Sequence, residues 1–123
     1  MAQIVPPLRG AAAEELAAAY LQGRGLSIIA RNMRCKLGEL DLVCLHAEVL
    51  VVVEVRQRAQ ADFGGALASV NSRKRRKLVR ATQFQWQRRP AWRARVLRFD
   101  VLAVQGRPDG TYDIEWVKDA FRG

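Results

Sequence analysis

Hydrophobic residues along this chain recur at helical spacing in some stretches and at strand spacing in others, and their order predicts a mixed sheet flanked by helices. Ala11 to Gln22 is alanine-rich and carries Leu16, Ala19 and Tyr20 on one stripe, so it reads as a helix that Gly23 and Gly25 end. Leu26 to Ala30 is a short apolar strand, and Met33 to Lys36 continues toward the next one. Leu40 to Leu45 and Val49 to Val55, rich in Val and Leu, are the two clearest strands, joined by a hairpin connection at His46-Ala47-Glu48. Phe63-Gly64-Gly65 is a loop or turn. Asn71 or Ser72 offers an N-cap to a second helix that runs to about Arg88, with Pro90 ensuring its end. Arg95 to Val104 is a further strand, Arg107-Pro108-Asp109-Gly110 a turn, and Tyr112 to Val117 a last strand. This order makes one α/β domain over residues 1–123, with a core from about 10 to 118 and no internal repeat.

Two of these strands carry a carboxylate inside an otherwise apolar run: Gly38-Glu39-Leu40-Asp41-Leu42-Val43 and Val51-Val52-Val53-Glu54-Val55-Arg56. A charged group in a buried strand costs several kcal/mol unless an ion pair, a hydrogen-bond network or a divalent cation compensates it. The period of two puts Glu54 and Arg56 on one face of their strand and Val53 and Val55 on the other. A hairpin turning at His46 to Glu48 sets Asp41 opposite residue 53 or 54, which brings Asp41 and Glu54 within side-chain reach. Facing carboxylates raise each other's pKa. Mg²⁺ or Mn²⁺ between them reverses that, because hard cations accept carboxylate oxygens from both strands. An ion-pair cluster in which Arg56 neutralises Glu54 is the other reading, and it carries no chemistry. Glu39 shares a face with Asp41 but follows Gly38 and reads as solvent-facing.

Charge adds a partner to this picture. The net charge is +9, yet Phe63 to Phe99 holds eleven Lys or Arg residues and no Asp or Glu, while the remainder carries ten basic and twelve acidic residues. So local an excess suggests a polyanion, nucleic acid or an anionic membrane. Arg73-Lys74-Arg75-Arg76-Lys77 opens the second helix, where cations oppose the helix dipole and have no Glu at i+3 or i+4, so phosphate contact is a better reason for them than stability. On a helical wheel Arg76, Arg80, Gln83 and Gln87 share a polar side, whereas Lys74 projects along the apolar stripe of Leu78 and Ala81, toward the sheet end. Trp86, Trp92 and Trp116 read as core, with stacking on unpaired bases as the alternative. His46 is a loop residue. Cys35 and Cys44 are two thiols in strand-like surroundings, read as reduced and packed in a cytoplasmic protein, and too few for a zinc site. No apolar run is long enough to span a membrane and the start lacks the pattern of a secretion signal.

These strings also carry a resemblance. Ala13-Glu14-Glu15-Leu16-Ala17, Arg31-Asn32-Met33-Arg34, Gly38-Glu39-Leu40-Asp41-Leu42-Val43, Val53-Glu54-Val55-Arg56-Gln57-Arg58, Phe63-Gly64, Lys74 with Leu78 and Ala81, and Arg98-Phe99-Asp100-Val101 together are similar to the YraN-type family of bacterial proteins. That family resembles the PD-(D/E)xK nucleases, which include restriction endonucleases and Holliday-junction resolvases. The likeness runs from Glu14 to about Val104. It implies a restriction-endonuclease-like mixed β-sheet flanked by helices, a metal pair of Asp41 and Glu54, and Glu14 reaching the same site from the first helix. It further implies Mg²⁺ or Mn²⁺ as cofactor, DNA or RNA as partner, no membrane, and a homodimer as in the branched-DNA resolvases of this fold.

Two positions depart from the family pattern: Ala13 replaces a glycine, and Glu54-Val55-Arg56 replaces Glu-Val-Lys. A lysine in that strand can lose its proton and orient or deprotonate the attacking water, whereas an arginine stays protonated. Lys74 is therefore the candidate to supply the ammonium that position 56 lacks. The sequence leaves two functions open. One is a metal-dependent endonuclease with Glu14, Asp41, Glu54 and Arg56 at its centre and Arg58, Arg73, Lys74, Arg75, Arg76, Lys77 and Arg80 on nucleic acid. The other is a non-catalytic nucleic-acid-binding module that keeps the fold.

Overall fold

A computed structural model describes residues 10–57 and 70–122. Helix α1 (Gly10–Gly23) is followed by strands β1 (Ser27–Cys35), β2 (Gly38–His46) and β3 (Val49–Gln57). Helices α2 (Ser72–Gln87) and α3 (Pro90–Arg93) precede β4 (Val96–Gly106) and β5 (Tyr112–Phe121). The strands lie in chain order in one five-stranded sheet. Every neighbouring pair is antiparallel except β3 and β4, which are parallel. Parallel neighbours need a crossover connection, and α2 lies in it. The expected mixed sheet flanked by helices is what the chain forms.

Each helix covers one face. Ala17, Ala18 and Leu21 of α1 pack on Leu42, Cys44, Val51, Val53, Leu102 and Val104. The small alanines let α1 sit close to the sheet, and the helix ends where Gly25, at φ +90°, turns the chain back. Leu78 and Ala81 of α2 and Trp92 of α3 cover Leu40, Val43, Leu50, Val52 and Phe99 on the other face. With β2 and β3 covered on both sides, their uninterrupted apolar runs are accounted for. Cys44 is fully buried there. Burial, helped by the nearby Asp100 carboxylate, pushes its thiol up to about 12, so it packs and does not react. No helix among the described residues is long and apolar enough to cross a membrane.

Four details depart from the sequence expectation, each for a local reason. β1 is one strand rather than two pieces, because an irregularity between Ile28 and Ala30 absorbs the break in its pattern. His46 pairs with Val49 as the last strand residue, so the hairpin turn is only Ala47-Glu48, with Ala47 at φ +54°. Pro90 does end α2, but it also starts α3 at a position where its missing N–H costs nothing. β5 runs on to Phe121, past the expected end at Val117.

Asp100 explains that extension. It is fully buried. Its carboxylate accepts from Arg98 Nε (2.9 Å) and Nη2 (3.0 Å), from Trp116 Nε1 (2.9 Å) and from the Asp119 backbone N–H (2.9 Å). The β4–β5 register shifts at this residue, between Phe99 and Val101, while Asp119 takes φ +50°. The buried charge is thus compensated by hydrogen bonds that hold the end of β5. Asp100→Ala, which strands a half-buried guanidinium and two N–H groups, should lower stability by about 3–5 kcal/mol in urea denaturation, and Asp100→Asn by less.

Candidate functional site

The β2–β3 register runs from His46 opposite Val49 to Leu42 opposite Val53, and just beyond its end Asp41 and Glu54 come within interaction distance. The two carboxylates share a hydrogen bond, and the Val55 N–H donates to Asp41 Oδ2 at 2.9 Å. Glu54 is only 5% exposed. Its partner comes from α2, where Lys74 Nζ lies 3.1 Å from Glu54 Oε1. Asn71 caps that helix through a bond from the Lys74 backbone N–H to its Oδ1 (2.9 Å), which anchors the turn carrying Lys74. Of the two N-caps the sequence offered, Asn71 is the one used.

Asp41 sits at a break in its strand. Regular alternation would put Leu40 and Leu42 on the same face, but Leu40 joins the core under α2 and Leu42 the core under α1. The residue facing Asp41 on β1 is Asn32, whose φ of +51° places it in the left-handed region that asparagine tolerates. The Asn32 side chain hydrogen-bonds the Glu14 carboxylate of α1. Carboxylate oxygens of Glu14, Glu39 and Asp41 lie within 4.8 Å of one another. The slip at Asp41 thereby joins an acidic group on the α1 side to the Glu54–Lys74 pair on the α2 side.

Electrostatics follow from this crowding. Burial, then the Glu54 carboxylate, push the Asp41 carboxyl up to about 7, against the lowering pull of the Val55 N–H. Glu14 is raised by burial, and also by Asp41 and Glu39, with Asn32 and Arg31 opposing. A pocket of about 220 Å³ opens beside them, lined by Gly38, Glu39, Asp41, Glu54, Lys74, Lys77 and Leu78. Gly38 takes φ +147°, a conformation that other residues adopt only with strain, so glycine sets how β2 starts beside α2. An all-oxygen donor set suits a hard divalent cation, and the mutual repulsion of these carboxylates is what a cation would relieve.

The structure brings Glu14 and Asp41 into one carboxylate cluster, and Asp41, Glu54 and Lys74 onto one pocket, where Glu54 pairs with Lys74 rather than joining that cluster. It also adds Glu39, which the sequence reading had turned to solvent. Glu39 is half-buried, paired with Arg34 Nε at 3.3 Å and on the pocket wall. The signal available was its i,i+2 spacing from Asp41. Arg56 is half-buried, and its buried Nε has no hydrogen-bond acceptor among the described residues. Arg58 and Phe63-Gly64-Gly65 lie outside the described residues. The basic run divides around α2. Lys74 and Lys77 line the carboxylate pocket, while Arg75, Arg76 and Arg80 line a separate groove with Arg122, and Arg73 is exposed. Arg75 Nε donates to the Val70 carbonyl at 2.8 Å, and its guanidinium stands 5.5 Å over the Phe121 ring. Trp92 is buried, and Trp116 meets Tyr20 edge-on at 6.2 Å, as core residues do.

Fold and pocket define a class of α/β protein in which two interior strands present carboxylates beside the basic N-terminal turn of a crossover helix. This chain belongs to the Uncharacterised protein family UPF0102, whose sequence profile matches residues 13–104. The YraN-type resemblance covered the same stretch. A UPF0102 protein of Pseudomonas putida strain GB-1 is 50% identical over 116 residues, 94% of both chains. One from Pseudomonas entomophila is 47% identical over 116 residues, again 94% of both. One from Halorhodospira halophila is 47% identical over 117 residues, 95% of this chain and 89% of its own.

The Asp41 carboxyl gives the site a pH signature. It titrates near 7 in the folded chain and near 4 when unfolded, so the folded state holds the extra proton between those values. In EDTA the protein should lose a few kcal/mol of stability as pH rises from about 4 to about 8, since each pKa unit corresponds to about 1.4 kcal/mol. Asp41→Asn should flatten this slope and raise the urea midpoint at pH 8.

Proposed function

We propose that this protein is a cytoplasmic, metal-dependent nuclease that binds DNA or RNA and hydrolyses phosphodiester bonds. The observation that carries the reading is the meeting of two groups at Asp41, which shares a carboxylate cluster with Glu14 and Glu39 and a pocket with Glu39, Glu54 and Lys74. Asp41, Glu54, Glu14 and Glu39 would hold Mg²⁺ or Mn²⁺, which supplies Lewis-acid polarisation of a phosphate oxygen when bound. Asp41 and Glu54 accept hydrogen bonds from the attacking water and orient it. Water oxygen bonds to phosphorus as the bridging P–O bond breaks. A pocket carboxylate takes the water proton, and the departing alkoxide recovers one from solvent.

Lys74 fills the place that the arginine at position 56 leaves open. Its ammonium contacts Glu54 and faces the same pocket, so it can meet the charge that develops on the phosphoryl oxygens. Arg56 adds a fixed positive charge on the Glu54 face of β3. The basic residues of α2 supply sequence-independent contact with the backbone. A homodimer is compatible with this function, and sedimentation of the free and nucleic-acid-bound protein reads it directly.

The test is titration of Mn²⁺ by calorimetry, followed by incubation with single-stranded, duplex and branched DNA and RNA. Wild type should bind the ion and cleave at least one substrate. Asp41→Asn should lose both, with cleavage down by at least about a hundredfold. Lys74→Ala should keep the ion and lose about 10²–10³ in rate, the scale of a transition-state charge contact. Arg56→Ala should lose less than Lys74→Ala, and the reverse order would remove Lys74 from this role. Salt-sensitive binding with no cleavage of any substrate would leave the non-catalytic binding module in its place.

A further inference from the structure

The arginines that α2 turns away from the carboxylates do not lie on an open convex face. Arg75, Arg76 and Arg80 line a groove of about 310 Å³ that Arg122, at the end of β5, closes from the other side. Val79, Gln83 and Arg122 are shared with a second, larger recess of about 430 Å³, so the two form one continuous cleft. The wall of that recess is mostly apolar, with Trp86 and Phe121 half-buried and Val96 70% exposed, and Arg98 and Asp119 add charge to it. Buried Phe99 backs Phe121 at 5.1 Å, and the buried Trp86 indole N–H has no acceptor among the described residues.

We propose that this cleft binds an unpaired strand of nucleic acid, with phosphates along the exposed guanidiniums of Arg76 and Arg80 and a base in the aromatic recess, while Arg122 stays paired with Asp119 at 3.0 Å. The proposal rests on the nucleic-acid reading of the carboxylate site and narrows its substrate to chains with an unpaired segment.

Three arguments converge on that ligand. A charged groove that leads into an apolar, aromatic recess matches a polymer whose backbone is anionic and whose side groups have π faces. A paired base shows a protein only its edge, so a recess that takes a ring face selects unpaired nucleotides. The helix geometry orders the two sites. Residues 75, 79, 83 and 86 form the stripe of α2 facing the cleft, while Lys74, Lys77 and Leu78 face the carboxylate pocket. Trp86 follows Lys74 by twelve residues, about 18 Å along the helix axis, so a strand along α2 has its bound base several nucleotides from the phosphate at Asp41. An acidic peptide would use the arginines but has no regular supply of flat rings for the recess.

The test needs only the full-length protein in EDTA, where no turnover occurs. Fluorescence anisotropy compares a labelled strand of about twelve thymidines, an abasic strand of the same length, the corresponding duplex, and an acidic peptide of equal charge. An oligouridine strand in the same assay tells RNA from DNA as the preferred source. The thymidine strand should bind at least about tenfold more tightly than the abasic strand and quench tryptophan emission. Trp86→Phe, which keeps an apolar ring, should lose most of the quench and narrow the difference to about threefold. Arg76→Ala with Arg80→Ala should weaken both strands alike and reduce the slope of log K against log salt by about 1.4. Equal affinity for thymidine and abasic strands, preference for the duplex, or equal binding of the acidic peptide would each overturn the proposal, and the wild-type comparison decides this without any variant. Base-dependent binding by a protein that cleaves nothing would keep the cleft and remove the hydrolase. Metal-dependent cleavage without base-dependent binding would do the opposite.

Discussion

Ionised carboxylates in the middle of a sheet must be compensated, and most of this fold answers to that requirement. Glu54 is almost completely buried between β2 and β4, where it meets Asp41 just past the last paired residues of the β2–β3 hairpin. Lys74 pairs with it, and pairing requires the first turn of α2 to sit directly over the end of β3. That placement depends in turn on Asn71 capping the helix and on Gly38 taking the φ of +147° at which β2 begins. Helix position, strand start and ion pair are thus one arrangement.

Asp100 offers the contrast. It too is a carboxylate in an apolar strand, and it is buried more completely, yet four donors from Arg98, Trp116 and Asp119 take up its lone pairs. Nothing is left over for a ligand, and the group organises the β4–β5 edge. Around Asp41, by contrast, Lys74 and Arg34 pair with Glu54 and Glu39, while Asp41 itself accepts from the Val55 N–H and is pushed upward by burial and then by the Glu54 carboxylate. A carboxylate whose lone pairs are filled organises structure, and one left under-compensated beside a pocket is the candidate site.

Helix α2 serves both halves of the surface. Consecutive residues of an α-helix are about 100° apart, so a dense run such as 73–77 cannot stay on one side. Lys74 and Lys77 go to the carboxylates, and Arg75 and Arg76 go to the groove shared with Arg122. What looks in sequence like one basic face is a helix that divides its charge between a pocket and a cleft.

Local pattern determined much of this protein. Runs of Val and Leu at strand spacing, an alanine stripe ending at Gly23 and Gly25, an asparagine before a basic helix, and a short connection at His46-Ala47-Glu48 are short-range signals, and the elements follow them to within a few residues. The pairing of Asp41 with Glu54 was legible for the same reason, since a tight hairpin leaves almost no freedom of register. Tertiary packing decided the rest. The parallel pairing of β3 with β4, the salt bridge between Lys74 and Glu54, the turn of Glu39 into the pocket and the splitting of the basic run all involve residues brought together by the crossover. No local spacing encodes those contacts, because they depend on where α2 comes to rest against the sheet, and burial of Leu78 and Ala81 on the far face determines that.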